Sequence, residues 1–86
     1  MADILEKLGA RIQEERKKAR LTQEQLAERV DLSVNYIGYI EGGKQAPYLK
    51  TLERIAEAIG VEVYELFLFK KEERNMLDCE TLTRLA

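Results

Sequence analysis

The sequence predicts an all-α fold, and three observations favour it. Leu, Ala, Glu, Lys and Arg dominate the 86 residues, which include one proline and no tryptophan. Apolar residues recur at the i, i+3, i+4 spacing of amphipathic helices, and no alternating pattern of useful strand length is present. The length fits one domain, and a composition of 45% hydrophobic and 35% charged residues excludes a disordered chain.

The same spacing divides the chain into five predicted helices, at about 4–20, 22–30, 33–41, 48–59 and 63–68. The first carries an apolar stripe that includes Leu8 and Ile12. The second opens with a capping box, because Thr22 is followed three residues later by Gln25. A tight turn at 31–32 separates it from the third helix.

The third helix is predicted to begin after a Ser33 cap and to end at Gly42–Gly43. Gly60 ends the fourth helix. The inner face of the fourth helix is predicted to consist of Leu49, Leu52, Ile55, Ala56 and Ile59.

Several classes of protein are disfavoured by what the sequence lacks. The start has no signal-peptide pattern, the longest apolar run (66–69) is far too short to span a membrane, and Cys79 is the only cysteine. Without histidine, we expect no metal site and no cofactor. An enzyme is the weakest alternative, since no nucleophile–base pair or glycine-rich phosphate loop is visible. We therefore expect a cytoplasmic protein with no membrane association and no small-molecule ligand.

The net charge of −2 by itself argues mildly against a nucleic-acid partner. Residues 1–60 nevertheless carry ten basic and ten acidic side chains, so the acidic surplus lies in 61–86. A DNA-binding protein needs a positive face rather than a positive total. The basic run at 16–20 either complements the dipole at the end of the first helix or contacts phosphate, and the sequence leaves both interpretations open.

The strongest functional signal is the pair of short helices at 22–30 and 33–41. Small Ala27 lies where the two helices must cross, and apolar residues on both fix their relative angle. The polar and aromatic face of the second helix is then free to enter a groove.

Three segments carry a resemblance to a known family: Leu21–Ala27, Ile40–Lys44 and Thr51–Val61. They resemble the phage repressor and Cro-type helix-turn-helix family, also called XRE-like regulators, and the resemblance covers about residues 5–68. It implies a five-helix, lambda-repressor-like DNA-binding domain over 1–69, with a short C-terminal tail at 70–86. It also implies that helix 33–41 lies in the major groove of double-stranded DNA.

The resemblance further implies roles for individual residues. Gln23 would bind a phosphate or an adjacent base, and Lys44 would bind a phosphate. Arg16 and Glu41 match a pair that forms an internal salt bridge between the first and third helices. The positions that touch base edges and nearby backbone are occupied by Ser33, Val34, Asn35 and Tyr39.

The chemistry of the predicted recognition helix can be argued residue by residue. Asn35 can form a bidentate contact with adenine, and Val34 can only press on a thymine methyl group. A solvent-facing role for Asn35 stays open. Tyr36 and Tyr39 favour contact with sugar and phosphate, or with a partner. Gly38 costs the helix about 1 kcal/mol relative to alanine, either because the backbone approaches DNA closely or because the helix tolerates it.

This helix has no arginine or lysine for reading guanine, so we expect an operator read through A·T steps and DNA shape. Contacts to phosphate from Gln23, Lys44, Tyr48 and backbone amides would then carry much of the binding. Asp31 replaces the glycine usual in the turn and is expected to take the left-handed conformation. Tyr48 replaces the serine that usually caps the fourth helix, so we expect that cap to be missing.

One small domain touches few base pairs, so we expect a homodimer whose half-sites lie about 34 Å apart. The predicted interface is an apolar cluster, Tyr64, Phe67, Leu68 and Phe69. Alternatively, these side chains cover the open end of their own domain. Residues 70–86 form either a dimerising helix or a frayed tail. A protein-binding module on the same fold, such as an antitoxin or adaptor, is the alternative function.

Overall fold

A computed structural model describes residues 3–69 of the chain. Within that range it contains no strand and five helical elements, which are α1 (Ile4–Lys18), α2 (Gln23–Val30), α3 (Val34–Glu41), α4 (Leu49–Ile59) and the 3₁₀ helix η1 (Val63–Phe67). The prediction of an all-helical fold is confirmed. The predictions for 70–86, a dimerising helix or a frayed tail, lie outside the described residues.

The fifth helix is a correction to the sequence-based prediction. Residues 3–69 contain four α-helices, and the predicted helix at 63–68 is a 3₁₀ helix of five residues. So short a segment supplies few i, i+4 hydrogen bonds, and a tighter i, i+3 turn lets it pack Leu66 into the core.

None of the helices described in 3–69 is long and apolar enough to cross a membrane.

Side-chain caps fix where the two helices of the helix-turn-helix begin. The predicted capping box at α2 is present: the Gln25 backbone N–H donates to the Thr22 hydroxyl oxygen at 3.0 Å, and the Thr22 N–H donates to the Gln25 side chain at 2.9 Å. At α3, Tyr36 N–H donates to Ser33 Oγ at 3.1 Å. Tyr48 precedes α4 without a side-chain cap in this part of the structure, as expected. The first residues of α2 and α3 are therefore set by local sequence.

Each α-helix is followed by a residue in the left-handed conformation, which turns the chain back across the domain. These residues are Arg20 (φ 62°), Asp31 (φ 58°), Gly43 (φ 75°) and Gly60 (φ 91°). Asp31 therefore takes the conformation predicted for the turn between α2 and α3. After α3 the left-handed residue is Gly43, whereas Gly42 stays in the right-handed region at φ −83°.

The core lies where α2 and α3 meet α1, α4 and η1. Its buried apolar side chains are Leu8, Ile12, Leu26, Ala27, Val30, Ile37, Ile40, Leu52, Ile55, Ala56, Ile59 and Leu66. Leu49 was predicted to belong to this core, and that prediction is wrong, since its side chain is 78% exposed. Leu49 is the first residue of α4. A side chain at the end of a helix is covered on one side only, because no helical turn precedes it.

A glycine determines how closely α1 and α3 approach. A Cβ atom added to Gly9 would lie closer than 3.0 Å to the carbonyl oxygens of both Ile40 and Glu41. Backbone atoms of a packed helix cannot move aside cheaply, so the crossing requires a residue without a side chain. No sequence pattern marks Gly9, although this close approach brings α1 within reach of Glu41.

Candidate nucleic-acid interface

The outer face of α3 is open to solvent, while its inner face is buried. Ile37 and Ile40 are each 1% exposed, whereas Tyr39 is 53% and Val34 is 37% exposed. Asn35 is also exposed. The structure therefore brings three of the residues predicted to contact bases onto one accessible surface.

Two other predicted contact residues also have roles inside the protein. Ser33 is exposed, but its Oγ accepts the Tyr36 N–H as the cap of α3. Its hydroxyl hydrogen remains available to a phosphate oxygen. Tyr36 is half-buried and packs against the core, so it offers less surface to a ligand than Tyr39.

Behind this face, Arg16 and Glu41 form a buried, bidentate salt bridge. Arg16 Nε donates to Glu41 Oε2 at 2.7 Å, and Arg16 Nη2 donates to Glu41 Oε1 at 3.0 Å. Arg16 Nη1 also donates to the carbonyl oxygen of Leu21 at 2.7 Å. The structure thus contains the ion pair that the family resemblance implied, and the pair joins α1 and the following turn to the last residue of α3.

Gln23 joins the same network from the first position of α2. Its Nε2 donates to Glu41 Oε1 at 3.0 Å, so this carboxylate oxygen accepts hydrogen bonds from both Arg16 and Gln23. The Gln23 side chain is half-buried between α2 and α3. The sequence predicted Gln23 as a DNA contact but did not predict its contact with Glu41.

Gly38 lies directly beneath the Gln23 amide. A Cβ atom on Gly38 would meet only Gln23 Nε2 and Oε1, both at 4.0 Å, which is ordinary van der Waals contact. The described protein atoms therefore leave room for alanine. Steric crowding inside the domain does not explain why this helix contains a glycine.

Two of the residues predicted to bind phosphate, Lys44 and Tyr48, lie in the loop after α3. Lys44 is exposed, and its backbone N–H donates to the Tyr39 carbonyl oxygen at 2.9 Å, which holds the start of the loop against the end of α3. Tyr48 is 80% exposed at the start of α4. A Cβ on Gly43 would collide with the backbone of Glu6, so the loop also lies close against α1.

A second candidate surface lies on η1 and the residue that follows it. Tyr64, Phe67 and Leu68 are 65%, 37% and 58% exposed, and we call these three residues the C-terminal apolar patch. Phe69 is half-buried, packs against the core and meets Phe67 edge-to-face at 6.1 Å. Of the four residues predicted for a dimer interface, Phe69 therefore covers its own domain, and the other three remain accessible.

Arg11 of α1 binds the backbone of η1 beside this patch. Its Nη2 donates to the Glu65 carbonyl oxygen at 2.6 Å, and its Nη1 donates to Glu14 and Glu15 at 2.7 and 2.8 Å. The hydrogen bond from Arg11 lowers the pKa of Glu15, against the opposing effect of burial. Burial alone would lower the pKa of Arg11, but its bonds to Glu15 and Glu14 raise it. No sequence pattern indicates the contact of Arg11 with η1, since its partner there is a backbone atom.

Comparison with known proteins places this geometry among transcriptional regulators. Residues 12–66 match the model of the helix-turn-helix family. The immunity repressor protein of Bacillus phage phi105 is 46% identical over 56 residues, which make up 65% of this chain and 39% of that protein. The chain thus spans about two fifths of the length of that repressor.

Two solved structures share the fold. The restriction-modification controller protein C.AhdI from Aeromonas hydrophila is 35% identical with a TM-score of 0.70, covering 72% of this chain and 94% of that one. SinR, the master regulator for biofilm formation, was solved in complex with DNA. It is 30% identical with a TM-score of 0.66, covering 70% of this chain and 97% of that one.

Proposed function

The chain belongs to the helix-turn-helix family of XRE-type transcriptional regulators, and from that premise we propose that it binds a specific operator in double-stranded DNA as a homodimer. Residues 1–69 form the DNA-binding domain, and α3 enters the major groove. The regulator is of the repressor or controller type, which are the types named for the phage protein and for C.AhdI.

The accessible outer face of α3 is the observation that carries this proposal. Asn35, Val34 and Tyr39 stand exposed on a helix whose opposite side is locked into the core. A helix held this firmly can present side chains to base edges with little loss of freedom on binding. The fold it shares with SinR, which was solved in complex with DNA, supports DNA binding.

Base contacts and phosphate contacts are divided between neighbouring elements. Asn35 reads adenine through its amide, and Val34 packs on a thymine methyl group. Tyr39 contacts the sugar–phosphate backbone at the edge of the groove. Phosphates are bound by Ser33, Gln23, Lys44 and Tyr48, and the backbone of Gly38 lies near the DNA.

The C-terminal apolar patch forms the dimer interface. Three apolar side chains exposed between positions 64 and 68 favour association, and Arg11 and Leu66 hold the backbone that carries them. Two-fold symmetry then places two copies of α3 in successive major grooves, about one helical turn apart. The operator is therefore expected to be an inverted repeat.

Selection from a library of random-sequence duplexes, followed by fluorescence anisotropy at two salt concentrations, tests the proposal. We expect an enriched inverted repeat that binds two protomers about a thousandfold more tightly than a shuffled duplex, with a steep salt dependence. Asn35→Ala should remove the sequence preference, whereas Lys44→Ala should weaken binding to both duplexes alike and flatten the salt dependence.

The absence of any enriched sequence, together with dissociation constants above about 100 μM at low salt, would overturn the proposal, since even non-specific binders are usually tighter. The chain would then be a protein-binding module on the same fold. The proposal would also fail if Asn35→Ala and Lys44→Ala had the same effect on both duplexes, because α3 would then not be reading bases.

A further inference from the structure

We propose that Glu41 is a positioning residue for DNA binding, which holds the Gln23 amide in its binding orientation before DNA arrives. This inference rests on the proposed function, and it assigns a buried carboxylate a task beyond its ion pair. The structural basis is the single oxygen, Glu41 Oε1, that accepts hydrogen bonds from both Arg16 Nη2 and Gln23 Nε2.

The first step concerns which way the amide faces. An ionised carboxylate can only accept hydrogen bonds, so Glu41 binds the nitrogen of the Gln23 amide and rejects its carbonyl oxygen. The Glu41 side chain is only 2% exposed and is held on both oxygens by Arg16, so it cannot turn to follow Gln23. The carboxylate therefore selects one of the two amide orientations.

The second step concerns what the fixed amide offers to a ligand. After donating one hydrogen to Glu41, Gln23 retains one N–H donor and its carbonyl oxygen. The donor suits a phosphate oxygen, and the donor with the acceptor suits the edge of an adenine. If the amide turned over, the carbonyl would face the carboxylate, and the two acceptors would repel.

The third step concerns the position of this amide relative to Asn35, the residue proposed to read bases. Asn35, Gly38 and Glu41 are spaced three residues apart and so form one stripe along α3. The Gln23 amide lies over Gly38, between the exposed Asn35 and the buried Glu41. Because Gly38 has no side chain, nothing from α3 stands between this amide and Asn35 along the stripe. The Gln23 amide, over Gly38, therefore lies about one helical turn along this stripe from Asn35.

A double-mutant cycle on the selected duplex tests the assignment. Gln23→Ala should weaken binding about tenfold, the effect of one hydrogen bond to a charged group. Glu41→Gln should weaken it about three- to tenfold, since a freed side chain must be ordered on binding. In the Gln23→Ala background, Glu41→Gln should have no further effect. Glu57→Gln on the exposed face of α4 controls for the loss of one negative charge.

A purely structural role for Glu41 gives a different result. Partial unfolding or a displaced α3 would reduce binding by the same factor with or without the Gln23 amide, and that outcome overturns the inference while leaving the proposed function intact. If wild-type protein binds neither the selected nor the shuffled duplex, the proposed function fails and the inference fails with it. Circular dichroism at the assay temperature establishes that each variant is folded.

Side-chain amide relaxation by nuclear magnetic resonance keeps the inference testable if Glu41→Gln does not fold. In the free wild-type protein, the Gln23 amide should be rigid on the nanosecond timescale, and that of Gln45, exposed in the loop after α3, should move freely. Addition of DNA should leave the order parameter of Gln23 unchanged. A Gln23 amide as disordered as that of Gln45 before binding would overturn the assignment.

Discussion

Gly9 of α1 and Ile40 of α3 meet backbone to backbone, with no space for even a methyl group between them. Close packing of this kind has a direct consequence for the binding face. Because of it, α1 lies against the last turn of α3, where Arg16 donates to Glu41 through both Nε and Nη2. The position of α3 is therefore fixed from behind, by contacts that do not involve its exposed face.

Replacing Gly9 by alanine should destabilise the domain. The added methyl group would overlap the carbonyl oxygens of Ile40 and Glu41, so α1 must move outward and strain the packing. We expect the free energy of unfolding to fall by about 1–3 kcal/mol, as for other overpacked cores. Urea denaturation followed by circular dichroism measures the change.

Gly38→Ala is the matched control, because it makes the same substitution in a helix with room for the methyl group. It should raise the free energy of unfolding by about 0.5–1 kcal/mol, the ordinary benefit of alanine in a helix. Equal effects of the two substitutions would show that the close approach of α1 and α3 is not a constraint in solution.

Removing one partner of the buried ion pair should cost more than removing an exposed charge. Arg16→Met leaves the Glu41 carboxylate buried without its cation, and such losses cost about 3–5 kcal/mol. The exposed Arg54→Met on α4 should change stability by less than about 0.5 kcal/mol. Thermal unfolding of both variants measures the difference, and similar melting temperatures would contradict the prediction.

Glu15 should make the stability of the domain depend on pH in the acid range. Its pKa is lowered in the folded state, chiefly by the hydrogen bond from Arg11. A group with a lowered folded pKa contributes stability above its unfolded pKa, and this contribution disappears as the pH falls through the folded value. Wild-type protein should therefore be more stable than Glu15→Gln at pH 6, and the gap should close towards pH 3.

Urea titrations of both proteins across this pH range check the expectation. Glu57→Gln, at an exposed carboxylate with no salt bridge among the described residues, provides the control and should follow the wild type throughout. A gap that stays constant from pH 6 to pH 3 would mean that the charge of Glu15 does not stabilise the fold.

A charge placed in the C-terminal apolar patch should weaken the dimer and leave the monomer folded. Leu68 is 58% exposed, so Leu68→Lys costs little in an isolated domain but buries an unpaired ammonium group in the proposed interface. We expect the dimer dissociation constant to rise at least about tenfold, as at an interface hot spot. Sedimentation equilibrium provides the measurement.

Leu49→Lys is the matched variant, because Leu49 is also an exposed leucine but lies at the start of α4. It should leave the dimer unchanged. A dimer that tolerates Leu68→Lys as well as Leu49→Lys would place the interface elsewhere on the protein.

The sequence predicted most of the local structure because local rules determine it. The Thr22–Gln25 capping box, the Ser33 cap and the left-handed Asp31 depend on neighbours within a few residues, and all three are present. The missing cap at Tyr48 was predicted for the same reason. These features need no knowledge of how the helices pack.

The remaining features depend on contacts between distant residues, which periodicity does not reveal. Leu49 matches the apolar spacing of α4 but lies where the neighbouring helices no longer cover it. Neither Gly9 nor the contact of Arg11 with η1 has a motif, because the partners are backbone carbonyls at positions 40–41 and 65. The contact between Gln23 and Glu41 likewise exists only once α2 and α3 have crossed.

The left-handed residues that end the helices also bear on how quickly the domain forms. The connections between successive elements span only 19–22, 31–33, 42–48 and 60–62. The packing pairs α2–α3 and α4–η1 are neighbours in sequence, so little loop-closure entropy is lost in bringing their members together. Three other pairings, α1 with α3, α2 with α4 and α1 with η1, each skip at least one helix, so we expect α2 and α3 to pair before them. The α2–α3 pair, which the proposed function places on DNA, would then acquire its shape before α1 docks onto it.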